Sequence, residues 1–230
     1  MKNEKSQHIK YPEEEFKDTL HKWIKAVIST VPIIGSSVAE VFSILVNPKL
    51  DQRREQFLRD VAVHLIKLSE KIESLRPEKL KDNEIFISTL LQSTSIAIKN
   101  HQKEKLEALR NAVINSILDT SVDDSMKLVF ISYLDTLTPY HMLILKFYSS
   151  YSADSPSNSF NQYYKQYENS VHNTEIDQSI FIHLSNDLIS KGLLEKSQSL
   201  PGIGNYDVYF LINTTLITQK FLQFISAPVS

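Results

Sequence analysis

No cysteine occurs in the 230 residues, which excludes a disulfide framework and a thiolate zinc site. Only four glycines are present, too few for a phosphate-cradling loop, and no G-x-S-x-G elbow occurs. The seven histidines (His8, His21, His64, His101, His141, His172 and His183) are scattered, and none belongs to an H-E-x-x-H pair. A net charge of −2 gives no overall field to attract nucleic acid or an acidic membrane. The opening stretch MKNEKSQHIKYPEEEFKD lacks an apolar core, so no secretory signal is expected and the Asn213-Thr214-Thr215 sequon carries no weight. Few glycines with many Lys, Asn, Ser and Ile fit a bacterial gene. We therefore expect a cytoplasmic bacterial protein that is not an enzyme, with no catalytic residue, cofactor, metal or small-molecule substrate.

What is present is core material: 42% of residues are hydrophobic and 23% charged, an ordinary globular balance. Phe16, Leu20, Trp23, Val27 and Val31 recur at helical spacing, with Lys17, His21, Lys22 and Lys25 on the other face. Pro32 and Gly35 interrupt that pattern, and a second apolar stretch, 36–46, stops before Pro48. Asp51 reads as the N-cap of a third helix with the stripe Phe57, Val61, Leu65, Leu68, Ile72 and Leu75, ending before Pro77. Residues 83–118 read as a further helical region with Phe86, Leu90, Leu106, Leu109, Val113 and Ile117 inside and Glu104, Lys105 and Glu107 at the surface. Residues 1–120 are expected to form a helical bundle that includes an apolar hairpin over 24–46.

The polar stretch DTSVDDS, 119–125, marks the expected boundary with a second domain over 126–230. There, Thr138-Pro139 is an N-cap and first-turn pair opening PYHMLILKFYSS. A Tyr-rich helix near 160–169 follows, then a helix from about Glu175 that stops at Gly192. Short strands are expected at 193–196 and 207–212 around a turn containing Gly202 and Gly204, with a closing helix over 216–225. Helix, helix, helix, strand, turn, strand, helix is the order of a winged helix, so the fold class is mainly α: a helical bundle, then a winged-helix-like α+β domain with a small β-hairpin.

The segments VPIIGSSVAEVF, PKLDQRREQFL, KEKLEALRNAVINS, LTPYHMLILKF, NDLISKGLL and TTLITQKFLQFI resemble, in order, a family of uncharacterised bacterial proteins. The resemblance implies a helical N-terminal part and a winged-helix-like C-terminal part, and supplies no activity or site residue.

Two functional surfaces follow from these patterns. Segment 24–46 spans 23 residues with only Lys25 and Glu40 charged. As one helix it would reach roughly 35 Å, against a bilayer core of about 30 Å. Ser36, Glu40, Ser43 and Asn47 form one polar stripe on it. The bland reading packs the hairpin on the bundle with the stripe in water. The functional reading inserts it into the inner membrane as an oligomer, with stripes lining a pore. The preceding helix, with Trp23 and Val27, then suits an interfacial anchor, Val41 is a candidate on the apolar face, and Ser36, Glu40, Ser43 and Asn47 are the lumen candidates. The second surface is the winged-helix-like domain. From Lys127 onward the chain carries six lysines, no arginine and eight acids, a poor footprint for phosphate. Protein docking is therefore preferred over DNA readout, with Tyr163, Tyr164, Tyr167, Phe181 and His183 as partner-binding candidates. The expectation is a non-enzymatic defence-type effector or sensor, a homo-oligomer whose protein partner belongs to a phage or to the cell. A DNA-binding transcription regulator and a plain scaffold are the alternatives.

Overall fold

The computed structural model describes residues 48–151, 159–171, 176–198 and 210–228. They belong to two compact units that divide between Lys99 and Asn100, each with its own core. The amphipathic helix expected from Phe16 and the apolar segment 24–46 lie outside the described residues. So do all seven membrane candidates, Trp23, Val27, Ser36, Glu40, Val41, Ser43 and Asn47.

In the first unit, helix α1 (Pro48–Ser69) is followed by a 3-10 turn (Glu73–Leu75), a single-turn helix α2 (Pro77–Leu80) and helix α3 (Glu84–Lys99). Phe57, Val61 and Leu65 are all buried, with Leu58 and Ala62 beside them, so the four-residue spacing faces the core as expected. The stripe is shorter than the sequence implies. α1 ends at Ser69, and Leu75 is buried from the 3-10 turn instead. The N-cap position also differs: the helix opens at Pro48 and Asp51 occupies its first turn, 3.5 Å from Arg54, where a carboxylate complements the helix dipole. Arg53 Nη1 donates to the Ile98 carbonyl at 3.2 Å, which ties the start of α1 to the end of α3 and runs the two helices antiparallel. Asn83 caps α3 by accepting from the Phe86 N–H at 3.0 Å.

The second unit contains α4 (Lys103–Leu118), α5 (Asp124–Thr136), α6 (Pro139–Ser150), α7 (Phe160–Ser170) and α8 (Gln178–Ser190). Strands β1 (Leu194–Gln198) and β2 (Phe210–Thr214) and helix α9 (Leu216–Ile225) complete it. The described residues are thus mainly helical with one two-stranded antiparallel sheet, in which Leu194 faces Thr214 and Gln198 faces Phe210. The single helical region expected over 83–118 is two helices, broken at Asn100 to Gln102. α4 packs on α5 and α9, so the polar stretch 119–125 does not coincide with the division between units. Helix α5 is absent from the sequence reading, although Asp123 caps it through the Met126 N–H and Phe130, Ile131 and Leu134 are buried along it. Gly192 ends α8 at φ 70°: its N–H donates to Ile189 O and the Leu193 N–H to Leu188 O, with both leucines buried.

Helix α4 holds the unit together through polar groups on its buried side. Lys105, expected at the surface, is only 5% exposed and donates to the Asp135 and Leu137 carbonyls at 3.0 and 3.1 Å, the C-terminal end of α5. Burial lowers its pKa, against a raising contribution from Asp135. Asn111 donates to Ile225 O at 3.1 Å, and Asn115 to Phe224 O and Ser226 O at 2.8 and 2.9 Å. These amides satisfy the carbonyls that α9 leaves unpaired at its last turn. Phe221 and Phe224 of α9 meet Phe130 of α5 at ring-centroid distances of 5.6 and 5.5 Å.

Asn115→Ala removes both bonds of one amide and leaves the buried Phe224 carbonyl without that donor. We expect a loss of about 1–3 kcal/mol, the cost of an orphaned buried group, read as a lower urea midpoint at unchanged slope.

Candidate functional site

A cleft of ≈ 640 Å³ opens in the second unit between α4, α6 and the residues that follow α9. Ala108 and Asn111 form one wall, Ile225 to Ala227 another, and Pro139, Tyr140, Met142, Leu143 and Lys146 of α6 the third. Glu104 and Glu107 stand on the α4 rim, opposite the exposed Lys146. Two large apolar side chains are unusually open here, Tyr140 at 36% and Leu143 at 44% exposure. Burying such side chains is worth about 1.5–3 kcal/mol each, so the cleft rewards a partner that covers them. The Asn111 amide that bonds Ile225 O belongs to the cleft wall, so the clamp on α9 also sets the cleft's shape.

At the mouth, Thr138 caps α6 with Pro139 in the first turn, as the sequence pair implies. The third helical residue, His141, completes a capping box. The Thr138 N–H donates to His141 Nδ1 at 3.1 Å, and Thr138 Oγ1 accepts from the His141 N–H. With Nδ1 an acceptor, the ring proton is on Nε2, directed at Asp187 Oδ2 of α8 at 3.1 Å. Asp187 Oδ1 in turn accepts from Lys191 Nζ at 3.1 Å. A hydroxyl, an imidazole and a carboxylate in sequence resemble a nucleophilic triad. Here the Thr138 hydroxyl lies 2.8 Å from Nδ1, a nitrogen that also accepts from the Thr138 backbone N–H, and the same hydroxyl serves as the helix cap. The chain joins the start of α6 to α8.

Burial pushes the His141 pKa below its ordinary 6.5, and the raising influence of Asp187 does not overcome it. For Asp187, burial pushes the carboxyl up, but Lys191 and His141 outweigh it and hold the group below the usual carboxylate range.

Of the partner-binding candidates, three belong to the core and present no surface. Tyr163 and Tyr167 are 2% and 1% exposed, and Phe181 is fully buried against Tyr167 with ring centroids 5.1 Å apart. The Tyr163 hydroxyl accepts from the Ile212 N–H at 3.1 Å and donates to Phe210 O at 3.2 Å, closing the free edge of β2. Tyr164 is half-buried and donates to Ile176 O at 3.2 Å. His183 is exposed on α8 beside Ile180 and Asn186. Sequence reasoning missed Tyr140 and Leu143. No local signal marks them: Tyr140 stands four residues before the buried Ile144, and Leu143 four before the buried Phe147.

Among the described residues no single helix is long and apolar enough to cross a membrane. α5 and α6 reach that length only together, bent by 120° at their junction, and Phe130, Ile131, Ile144 and Leu145 of that pair are buried. Comparison with protein-family models, curated proteins and solved structures finds no match.

The lowered His141 pKa fixes a pH dependence. On acidification the unfolded chain takes up a proton at the ordinary 6.5 while the folded ring resists, so stability falls as pH drops through 6.5. The contribution of the depressed Asp187 carboxyl is lost only at much lower pH, below the ordinary 3.8. Glutamine at the same helical position keeps a capping box without titrating. Urea midpoints measured between about pH 7.5 and 5.5 should decline less for His141→Gln than for the wild type.

Proposed function

We propose that the chain is a non-enzymatic effector or sensor of bacterial self-protection. Its C-terminal unit is a winged-helix-like module that docks a protein partner in the α4/α6 cleft. Docking releases the apolar segment 24–46 to act, as an oligomer, on the inner membrane. The observation that carries the docking half is the pair Tyr140 and Leu143, open to solvent beside the ≈ 640 Å³ cleft. An aromatic and an aliphatic anchor next to a concavity supply the central contact that protein interfaces concentrate their energy in. Glu104 and Glu107 on the rim favour a partner segment with basic residues flanking an apolar one. The membrane half rests on the composition of 24–46 and its polar stripe.

The order α6, α7, α8, β1, β2, α9 and the open face of α8 favour one second reading, DNA binding. Charge weighs against it. The exposed face of α8 offers Ser179, Ile180, His183 and Asn186, and the nearest cation, Lys191, is held by Asp187. Duplex binding that weakens steeply with salt would move the assignment to that reading.

The test uses the full chain in bacteria, with membrane potential recorded and a photo-crosslinking side chain placed at Leu143 or, as control, at Glu195. We expect depolarisation by the wild type and a discrete crosslinked partner from position 143 alone. Leu143→Glu should abolish depolarisation, whereas Val41→Glu should abolish depolarisation and keep the crosslink from position 143. Undiminished depolarisation by Leu143→Glu contradicts the docking half, and undiminished depolarisation by Val41→Glu contradicts the membrane half.

A further inference from the structure

The walls of the cleft have few polar main-chain groups left to offer a partner. No residue of β1 or β2 lines it, so no strand edge is on offer there. Within α4 and α6 the main-chain groups bond one another. At the end of α9, Ile225 O and Ser226 O already accept from Asn111 and Asn115. The Ser226 hydroxyl donates to Leu222 O, and the Thr138 hydroxyl caps α6. A main-chain group buried unpaired against these walls costs about as much as a lost hydrogen bond, so whatever fills the cleft has to bond its own backbone. A helix does so without help.

The rim adds charge of both signs. Glu107 is paired within α4, 3.6 Å from Arg110. Glu104 on the α4 rim and Lys146 on the α6 rim are both exposed, and among the described residues neither has an ion-pair partner. The rows that carry them are short. Glu104 to Asn111 on one wall and Tyr140 to Lys146 on the other each run roughly 10 Å, the length of about two helical turns.

We propose that the occupant is an amphipathic helix of the partner protein, about two turns of which lie between α4 and α6. Its apolar face covers Tyr140 and Leu143, a basic residue on one flank meets Glu104, and an acidic residue on the other flank meets Lys146. The two unpaired rim charges thereby read both flanks and set the direction in which the helix lies. The inference rests on the docking reading above, gives that partner a shape and a charge pattern, and is independent of the membrane role.

The test uses the full chain and labelled peptides of about 15 residues, stapled into helices because free ones of that length are marginal. All share one leucine face. The first carries lysine on one flank and glutamate on the other, the second lysine on both, and the third glutamate on both. Fluorescence anisotropy at low salt should rank the mixed peptide tightest, by about fivefold over either uniform one. Glu104→Lys should move the preference to the all-glutamate peptide, and Lys146→Glu to the all-lysine peptide. A misfolded variant loses binding and does not change its choice. Leu143→Glu should weaken every peptide by about tenfold, and an unstapled peptide with a central proline should bind about tenfold more weakly than its stapled parent. Equal affinities in the wild type, an unchanged preference in the rim variants, undiminished binding by the proline peptide, or no binding of any stapled peptide overturns the proposal. The crosslink from position 143 needs no helix, so failure here leaves the docking reading to its own test.

Discussion

A helix that ends inside a protein leaves its last carbonyls without partners, and each one buried in that state costs as much as a broken hydrogen bond. In the C-terminal unit the answer comes from the side of one helix. Lys105 of α4 reaches the end of α5, and Asn111 and Asn115 reach the end of α9. The donors project at spacings that a helix alone can hold, so α4 acts as a ruler against which two other helix ends are set. Truncating such a donor is therefore worse than losing a contact, because the acceptor stays behind.

Much of the unit follows from that arrangement. With α9 fixed, Phe221 and Phe224 are held against Phe130, and β2, which runs into α9 through the Thr215 cap, is placed as well. The Tyr163 hydroxyl then finds both Phe210 O and Ile212 N–H within bonding distance and seals the strand edge from α7. His141 and Asp187 add a second tie between α6 and α8. The cleft is what remains between these constraints: its walls are α4, α6 and the residues just past the α9 clamp. A docking site framed by fixed elements loses little conformational freedom when it is filled, which favours affinity.

Elements with strong local grammar were legible in the sequence. Thr138-Pro139 opening α6, the Tyr-rich α7, Gly192 closing α8, and helix α9 all carry their signals within a few residues. The second strand, expected at 207–212, is Phe210–Thr214, and the turn with Gly202 and Gly204 lies outside the described residues. Polar residues on buried faces were not legible. Lys105 reads as a surface charge because nothing local reveals the carbonyls of Asp135 and Leu137 some thirty residues away. Asn111 and Asn115 look like ordinary helix-surface amides, and only their alignment with Ala108 and Ala112 hints that they face inward. The tyrosines misled for the opposite reason: an aromatic cluster with little neighbouring charge suits an interface, but Tyr163 and Tyr167 are used inside. Tyr140 and Leu143 passed unnoticed because exposure is a property of the packed unit, and α6 reads as apolar on most of its circumference.

The central claim, that α4 clamps α9 into the cooperative core, is tested most directly by amide hydrogen exchange on the full chain. A short C-terminal helix normally frays and exchanges early. The account predicts that the α9 amides from Gln219 to Ile225 exchange together with those of α4, at the free energy of global unfolding. Rapid exchange of α9 while α4 remains protected would contradict it.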